Sequence, residues 1–168
     1  MERLWSPWRS RYIESISGRN EGTQKKCIFC EKFSAKDDEK NLVVYRGSLS
    51  AIIMNLYPYN GGHLMIVPFA HKGNFEDLTD EENADVMRQV RLAIRLLQTT
   101  SHPDGFNFGA NFGKVSGAGI ADHVHFHIVP RWNGDTNFMS VLGDTRVISE
   151  DLQDTFKKLA GALSTIKP

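Results

Sequence analysis

Apolar residues recur along this chain with two different periods. Leu42 to Arg46 and Leu49 to Met54 are short apolar runs on either side of Gly47-Ser48, a pattern that predicts two strands and a hairpin turn. Tyr57-Pro58-Tyr59-Asn60-Gly61-Gly62 is dense in turn formers and predicts a loop. His63 to Val67 reads as a third strand, stopped by Pro68. The period then changes. Val86, Met87, Val90, Ala93, Ile94 and Leu97 recur at three- and four-residue spacing, which predicts a helix from about Asp80 to Thr100. Thr79-Asp80-Glu81-Glu82 supplies a capping box at its start, and Ser101-His102-Pro103-Asp104-Gly105 ends it. Phe106 to Phe112 alternates loosely as a fourth strand, and His123 to Pro130 is a fifth. Leu152, Phe156, Leu159 and Leu163 mark a C-terminal helix with Ser149 as its cap. Strands interrupted by one long helix predict an α+β class, a mainly antiparallel sheet with helices on one side.

At 168 residues the chain suits a single domain, 1–168, with a core large enough to be stable. Residues 1–41 read as an N-terminal arm followed by an irregular Cys-x-x-Cys segment, 42–132 as the core, and 133–168 as a C-terminal extension and helix. Lys+Arg and Asp+Glu are equal at 20 each, so charge gives no support for a nucleic-acid partner. Arg3, Arg9, Arg11 and Arg19 do stand near Trp5, Trp8 and Tyr12. A docked arm packing its indoles accounts for them better than an anion-binding surface. No apolar run approaches the ~20 residues that span a bilayer, and the N-terminus lacks the apolar core of a secretory signal. No membrane association and a cytoplasmic location are therefore expected.

The fifth strand carries the candidate chemistry. His123, His125 and His127 alternate with Val124, Phe126 and Ile128, so a side-chain period of two puts the imidazoles on one face and the apolar trio on the other. Spending three of six histidines on one face points to a functional site. On a straight strand, neighbours two apart sit roughly 6.7 Å apart and the outer pair roughly 13 Å. Zn–N bonds are only ~2.0–2.1 Å, so a division of labour fits better than one three-histidine metal centre. A neutral imidazole can instead attack phosphorus and later leave. Upstream, Gly113-Lys114-Val115-Ser116-Gly117-Ala118-Gly119 offers glycines where backbone N–H groups can approach an anion closely. Cys27 and Cys30 are the only cysteines, and Cys-Ile-Phe-Cys leaves three readings open: a redox pair, half of a zinc site, or two small buried side chains.

His123 to Arg131 resembles the signature of the histidine triad superfamily, and Asn55, Gly62-His63-Leu64-Met65-Ile66-Val67-Pro68 and Asn111 extend the likeness upstream. Leu4-Trp5-Ser6-Pro7-Trp8-Arg9 and Asn55 to Asn60 are further similar to bacterial diadenosine tetraphosphate phosphorylase-like members. The resemblance implies a histidine-triad-like fold and His125 as the nucleophile that takes an adenylyl group from a substrate's α-phosphate. It implies that His127 and loop donors around Gly117, Gly119 and Ile120 hold the phosphoryl oxygens, with Asn111 nearby and His63 supporting the triad. Asn55 falls where the family places a ribose contact, and Ile53 where it places an apolar base contact. Several relatives, and the related galactose-1-phosphate uridylyltransferases, hold a structural zinc on residues matching Cys27, Cys30, His71 and His123. A homodimer and an adenosine-containing nucleotide substrate, arriving with Mg²⁺ where it is a polyphosphate, complete the expectation. Water as acceptor gives AMP and phosphate gives ADP. The alternative is a non-catalytic purine nucleotide-binding regulatory module.

Overall fold

A computed structural model of the protein describes residues 27–135 and 150–166. The N-terminal arm with its Trp and Arg residues, and Ser149, lie outside the described residues. Residues 27–133 and 150–166 belong to one compact unit. In chain order it contains α1 (Ile28–Ser34), α2 (Asp38–Asn41), β1 (Val43–Arg46), β2 (Ser50–Met54), β3 (Leu64–Pro68), α3 (Asp80–Ser101), β4 (Gly105–Ala110), β5 (Phe126–Arg131) and α4 (Leu152–Ala162). The strands form one five-stranded sheet in the order β1-β2-β3-β5-β4, every neighbouring pair antiparallel. This is the predicted α+β architecture.

Alternation along β2 and β3 sorts the core into two layers. Ile52, Met54, Leu64 and Ile66 pack with Val86, Val90, Ala93 and Leu97 of α3 and with Phe156 and Leu159 of α4. Ala51, Ile53, Met65 and Val67 point the other way and pack with Phe29 of α1. The sheet is therefore covered on both faces at its centre, rather than by helices on one side. The capping box at Thr79 forms as expected: its hydroxyl accepts from Glu82 N–H at 3.2 Å, and Glu82 returns a bond to Thr79 N–H at 2.7 Å. Met87 differs from the predicted apolar stripe and is exposed. The C-terminal helix spans Leu152–Ala162 and its cap is Asp151, not Ser149, with the Asp151 carboxylate accepting from Gln153 N–H at 2.7 Å.

The segment read as irregular is ordered into α1 and α2 by contacts remote in sequence. Arg46 of β1 donates to the carbonyls of Phe33 at 3.0 Å and Ala35 at 3.2 Å, and to Asp38 at 2.7 Å. That satisfies carbonyls which a helix leaves unpaired at its C-terminus.

A second clasp ties α3 to the β1–β2 hairpin. The buried Asp85 carboxylate accepts from Ser50 Oγ at 2.6 Å, Leu49 N–H at 3.1 Å and Arg88 at 3.1 Å. Burial alone would raise its pKa, but these bonds outweigh burial and hold it below the ordinary carboxylate range. Its contribution is complete above a pH of about 4 and is lost as pH falls further. Asp85→Ala strands the Ser50 hydroxyl and the Leu49 N–H. The expected loss is about 2–4 kcal/mol of stability at neutral pH, and less near pH 3, in urea denaturation. Equal losses at both pH values would refute the ionic role.

Candidate active site and metal centre

The triad segment is only partly strand. β5 begins at Phe126, not His123, because Val124 N–H bonds to Lys72 O at 2.7 Å instead of joining the sheet ladder. The alternation of faces survives. Val124, Phe126 and Ile128 enter the α3 layer of the core, while His127 lies opposite Met65 on the other face. His123 and His125 are buried there at 0% and 5% exposure, so this is not a solvated polar face. Phe29 of α1 packs against both rings, with centroids 5.3 Å from His123 and 5.2 Å from His125.

His125 has a defined tautomer. Its Nδ1 lies 2.9 Å from the His123 carbonyl oxygen, which can only accept, so Nδ1 carries the proton and the lone pair resides on Nε2. Burial lowers the His125 pKa, opposed by this same hydrogen bond, and so favours the neutral imidazole. A neutral ring with its lone pair on Nε2 is a nucleophile.

His127 is set by a relay from the turn-rich loop. Tyr59 N–H can only donate, and it lies 3.1 Å from His63 Nδ1. His63 in its neutral form therefore carries its proton on Nε2, which faces His127 Nδ1 at 3.0 Å. His127 in turn carries a proton on Nε2. The Tyr59 ring packs at a tilt against this pair, its centroid 4.7 Å from that of His63 and 5.9 Å from that of His127. His125 and His127, with ring centroids 5.0 Å apart, thus present an acceptor nitrogen and a donor nitrogen side by side.

His123 belongs to a different cluster. One ligand atom each from Cys27, Cys30, His71 and His123 lies within 4.8 Å of the other three. His71 Nδ1 and His123 Nδ1 are 3.3 Å apart. Cys27 Sγ is 3.2 Å from His123 Nδ1, and Cys30 Sγ is 3.5 Å from His71 Nδ1 and 3.8 Å from His123 Nδ1. A tetrahedral ion with Zn–N and Zn–S bonds of about 2.0 and 2.3 Å sets nitrogens about 3.3 Å apart and each nitrogen about 3.5 Å from sulfur. The four atoms thus fit the corners of one coordination sphere and can hold a metal ion. Burial, and then Cys27, push the Cys30 thiol up. The remaining His123 nitrogen, Nε2, lies 2.8 Å from Pro68 O, the kind of outer bond that orients a metal-bound imidazole.

The remaining expected residues are placed as follows. Asn55 ends the loop side of β2: its Oδ1 accepts from Tyr57 N–H at 2.9 Å and its Nδ2 lies 3.3 Å from His63 Nδ1. Asn111 follows Ala110, which pairs with Phe126, so the chain leaves β4 beside His125. In the glycine-rich loop, Gly113 and Gly117 have φ of 74° and 90°. Ser116 Oγ closes this turn onto the carbonyls of Phe112 and Gly113, each at 2.7 Å. Gly117, Gly119 and Ile120 are half-buried, and Ile120 packs on the Phe29 layer. Ile53 departs from expectation. It is fully enclosed within that layer, under the site rather than at a base-binding surface. Sequence reading missed the Tyr59 N–H, the Pro68 carbonyl and Phe29. The first two are main-chain groups with no side-chain signal, and Phe29 is only one of two apolar residues, with Ile28, inside Cys-x-x-Cys.

The HIT domain family matches residues 36–134. A Mycobacterium tuberculosis protein described as AP-4-A phosphorylase is 42% identical over 163 residues, covering 95% of this chain and 83% of that protein. An asymmetrical bis(5'-nucleosyl)-tetraphosphatase of Schizosaccharomyces pombe is 33% identical over 93 residues, 55% of this chain and 50% of that protein. Among solved structures, a zinc-bound histidine triad family protein from Mycobacterium smegmatis aligns with a TM-score of 0.68 at 25% identity, covering 83% of this chain and 94% of that one.

Proposed function

We propose, since this chain belongs to the HIT domain family, that it cleaves a diadenosine polyphosphate such as diadenosine tetraphosphate at the α-phosphate, through an adenylyl group held on His125. The observation that carries this reading is the His125 tautomer: Nδ1–H is bonded to the His123 carbonyl, which leaves the Nε2 lone pair to attack phosphorus. The P–N bond forms as the bridging P–O bond breaks, and ATP departs. The acceptor then attacks the adenylyl phosphorus, and Nε2 recovers its electron pair. Inorganic phosphate as acceptor yields ADP and water yields AMP; the 42% identity to a phosphorylase supports phosphate.

In this reading His127 Nε2–H and the N–H groups of Gly119 and Ile120 bind phosphoryl oxygens, with Asn111 beside them, while the Gly117 N–H, expected to join them, is committed to the Lys114 carbonyl at 3.1 Å. Asn55, at the mouth of the relay, meets the ribose. Such donors stabilise the charge that gathers on the oxygens in the transition state. The test is incubation with diadenosine tetraphosphate, with and without phosphate, followed by product analysis. ADP plus ATP, formed only with phosphate present, is the expected result. Micromolar nucleotide binding without turnover would favour a regulatory module instead.

His63 acts through His127. His63→Ala removes the donor that fixes the His127 tautomer and is expected to lower kcat by about 10–100-fold with KM little changed. An unchanged kcat in steady-state assays would remove His63 from the machinery.

Cys27, Cys30, His71 and His123 would hold zinc in a closed Cys₂His₂ shell, as the donor distances and the zinc-bound relative support. Zinc there would supply a cross-link rather than a group in phosphoryl transfer; metal analysis should find about one zinc per chain. Mg²⁺ would enter only with the polyphosphate. Reduced cysteines as ligands fit a cytoplasmic protein, and no helix among the described residues is long and apolar enough to cross a membrane. A homodimer completes the proposal. β4 is a sheet edge, Gly105–Ala110 carries no charge, and Phe108 is 47% exposed.

A further inference from the structure

We infer that Asn55 is a positioning residue for the relay behind His127: its carboxamide sets the direction in which hydrogen bonds run from the turn-rich loop to the phosphate site. The inference rests on the adenylyl-transfer reading above and adds to the ribose contact proposed there. Asn55 follows β2 directly. Met54 pairs with Leu64, and Asn55 N–H then bonds to His63 O at 2.9 Å, so Asn55 and His63 close the β2–β3 hairpin opposite one another. Alternation puts both side chains on the face of Ile53 and Met65, which is the Phe29 layer. His127 lies opposite Met65 on that face, one diagonal step from His63. Strand register therefore brings Asn55, His63 and His127 into one row.

The row has a single polarity. Tyr57 N–H can only donate, and it lies 2.9 Å from one side-chain atom of Asn55, which is therefore Oδ1. Nδ2 is then the atom that faces His63 Nδ1 at 3.3 Å, and an amide nitrogen also only donates. Tyr59 N–H reaches the same ring nitrogen at 3.1 Å. Two donors thus converge on Nδ1 and keep the His63 proton on Nε2, which faces His127 Nδ1 at 3.0 Å. Asn55 acts twice, because its bond from Tyr57 N–H also ties down the loop that supplies Tyr59 N–H. An aspartate at this position would keep the bond from Tyr57 and lose the donor to His63. A carboxylate oxygen facing Nδ1 sets lone pair against lone pair, a repulsion that a proton on Nδ1 relieves. That proton in turn opposes Tyr59 N–H, so the ring turns from the loop and His127 loses its fixed partner.

The experiment compares wild type, Asn55→Asp and Asn55→Ala. Readouts are the ¹⁵N shifts of the His63 ring in ligand-free protein, and kcat and KM for diadenosine tetraphosphate and for its 2′-deoxyribose analogue. Wild type is expected to show His63 protonated on Nε2 and bare on Nδ1. Asn55→Asp is expected to carry a proton on Nδ1 and to lose about tenfold or more in kcat, by the same factor on both substrates. Asn55→Ala retains Tyr59 N–H as a donor, so it should keep the wild-type protonation and lose less kcat than Asn55→Asp. A contact with ribose alone gives the reverse order, since a carboxylate still accepts from ribose hydroxyls and alanine does not. Its defect would also shrink on the deoxyribose analogue. That reverse order, or an Asn55→Asp protein whose His63 Nδ1 stays bare, overturns the inference and leaves adenylyl transfer standing. Failure of the adenylyl-transfer reading is a separate result, a wild type without turnover, and the ring shifts alone then decide whether Asn55 sets the polarity.

Discussion

Replacing His125 with alanine or glycine is expected to lower turnover of diadenosine tetraphosphate by about 10⁴-fold or more, because the substitution deletes the atom on which the proposed mechanism holds the adenylyl group. No neighbour can substitute. His127 Nδ1 is occupied by His63 at 3.0 Å, and its other nitrogen bears a proton in the tautomer set by the Tyr59 relay. His123 is committed at Nδ1 to the ligand cluster and at Nε2 to Pro68. In the proposed mode binding survives, since the donors assigned to the glycine-rich loop and His127 do not depend on the missing ring. Nucleotide affinity should therefore stay within a few-fold while kcat collapses. The void left beside Phe29 is the only structural cost, and thermal denaturation should show a modest loss. His125→Gln fills more of that space and should be equally inactive. Acid quench of wild-type protein with labelled substrate should trap label on the chain, and His125→Gln should trap none. Substantial turnover by any of these variants defeats the assignment.

The sequence revealed most where local pattern and tertiary packing agree. The capping box at Thr79, the helix over α3 and the β1–β2 hairpin are local statements, and each formed as read. The division of labour among the histidines was also visible, because three rings spaced along a near-extended chain cannot converge on one ion. Hidden features depended on partners distant in sequence. α1 has seven residues, no side-chain cap at Cys27, and a C-terminus clasped by Arg46 from β1, so nothing within residues 27–35 announces a helix. The late start of β5 reflects one bond, Val124 N–H to Lys72 O, that no periodicity encodes. Ile53 shows the opposite failure. Family likeness placed it at a base, but in a strand buried on both faces an isoleucine is more cheaply satisfied inside the Phe29 layer.

Removing the metal ligands is expected to have the largest effect on stability, and the effect should be local. An isolated helix shorter than about 12 residues is marginal in water, so α1 must be held by its contacts. Those contacts are burial of Phe29, worth about 2–3 kcal/mol, the Arg46 clasp at one end and the ligand cluster at the other. Structural zinc contributes apparent binding energies of about 10–16 kcal/mol in small domains, far more than the other two together. Here the five-stranded sheet has its own core, so a metal on the proposed site would stabilise an attached segment rather than the whole fold. Cys30→Ser should therefore abolish zinc binding, lower Tm by about 5–10 °C, and leave the sheet intact. Hydrogen exchange is the discriminating measurement. Amides of residues 28–34 should exchange almost as freely as an open loop in Cys30→Ser, while those of β2 and β3 stay protected. Arg46→Ala makes the contrast. It frays the C-terminal end of α1 but spares Cys27 and Cys30, so that variant should still carry zinc. If Cys30→Ser and zinc-loaded wild type exchange identically over 28–34, packing alone holds the helix, and the cluster has no part in building the floor beneath His125.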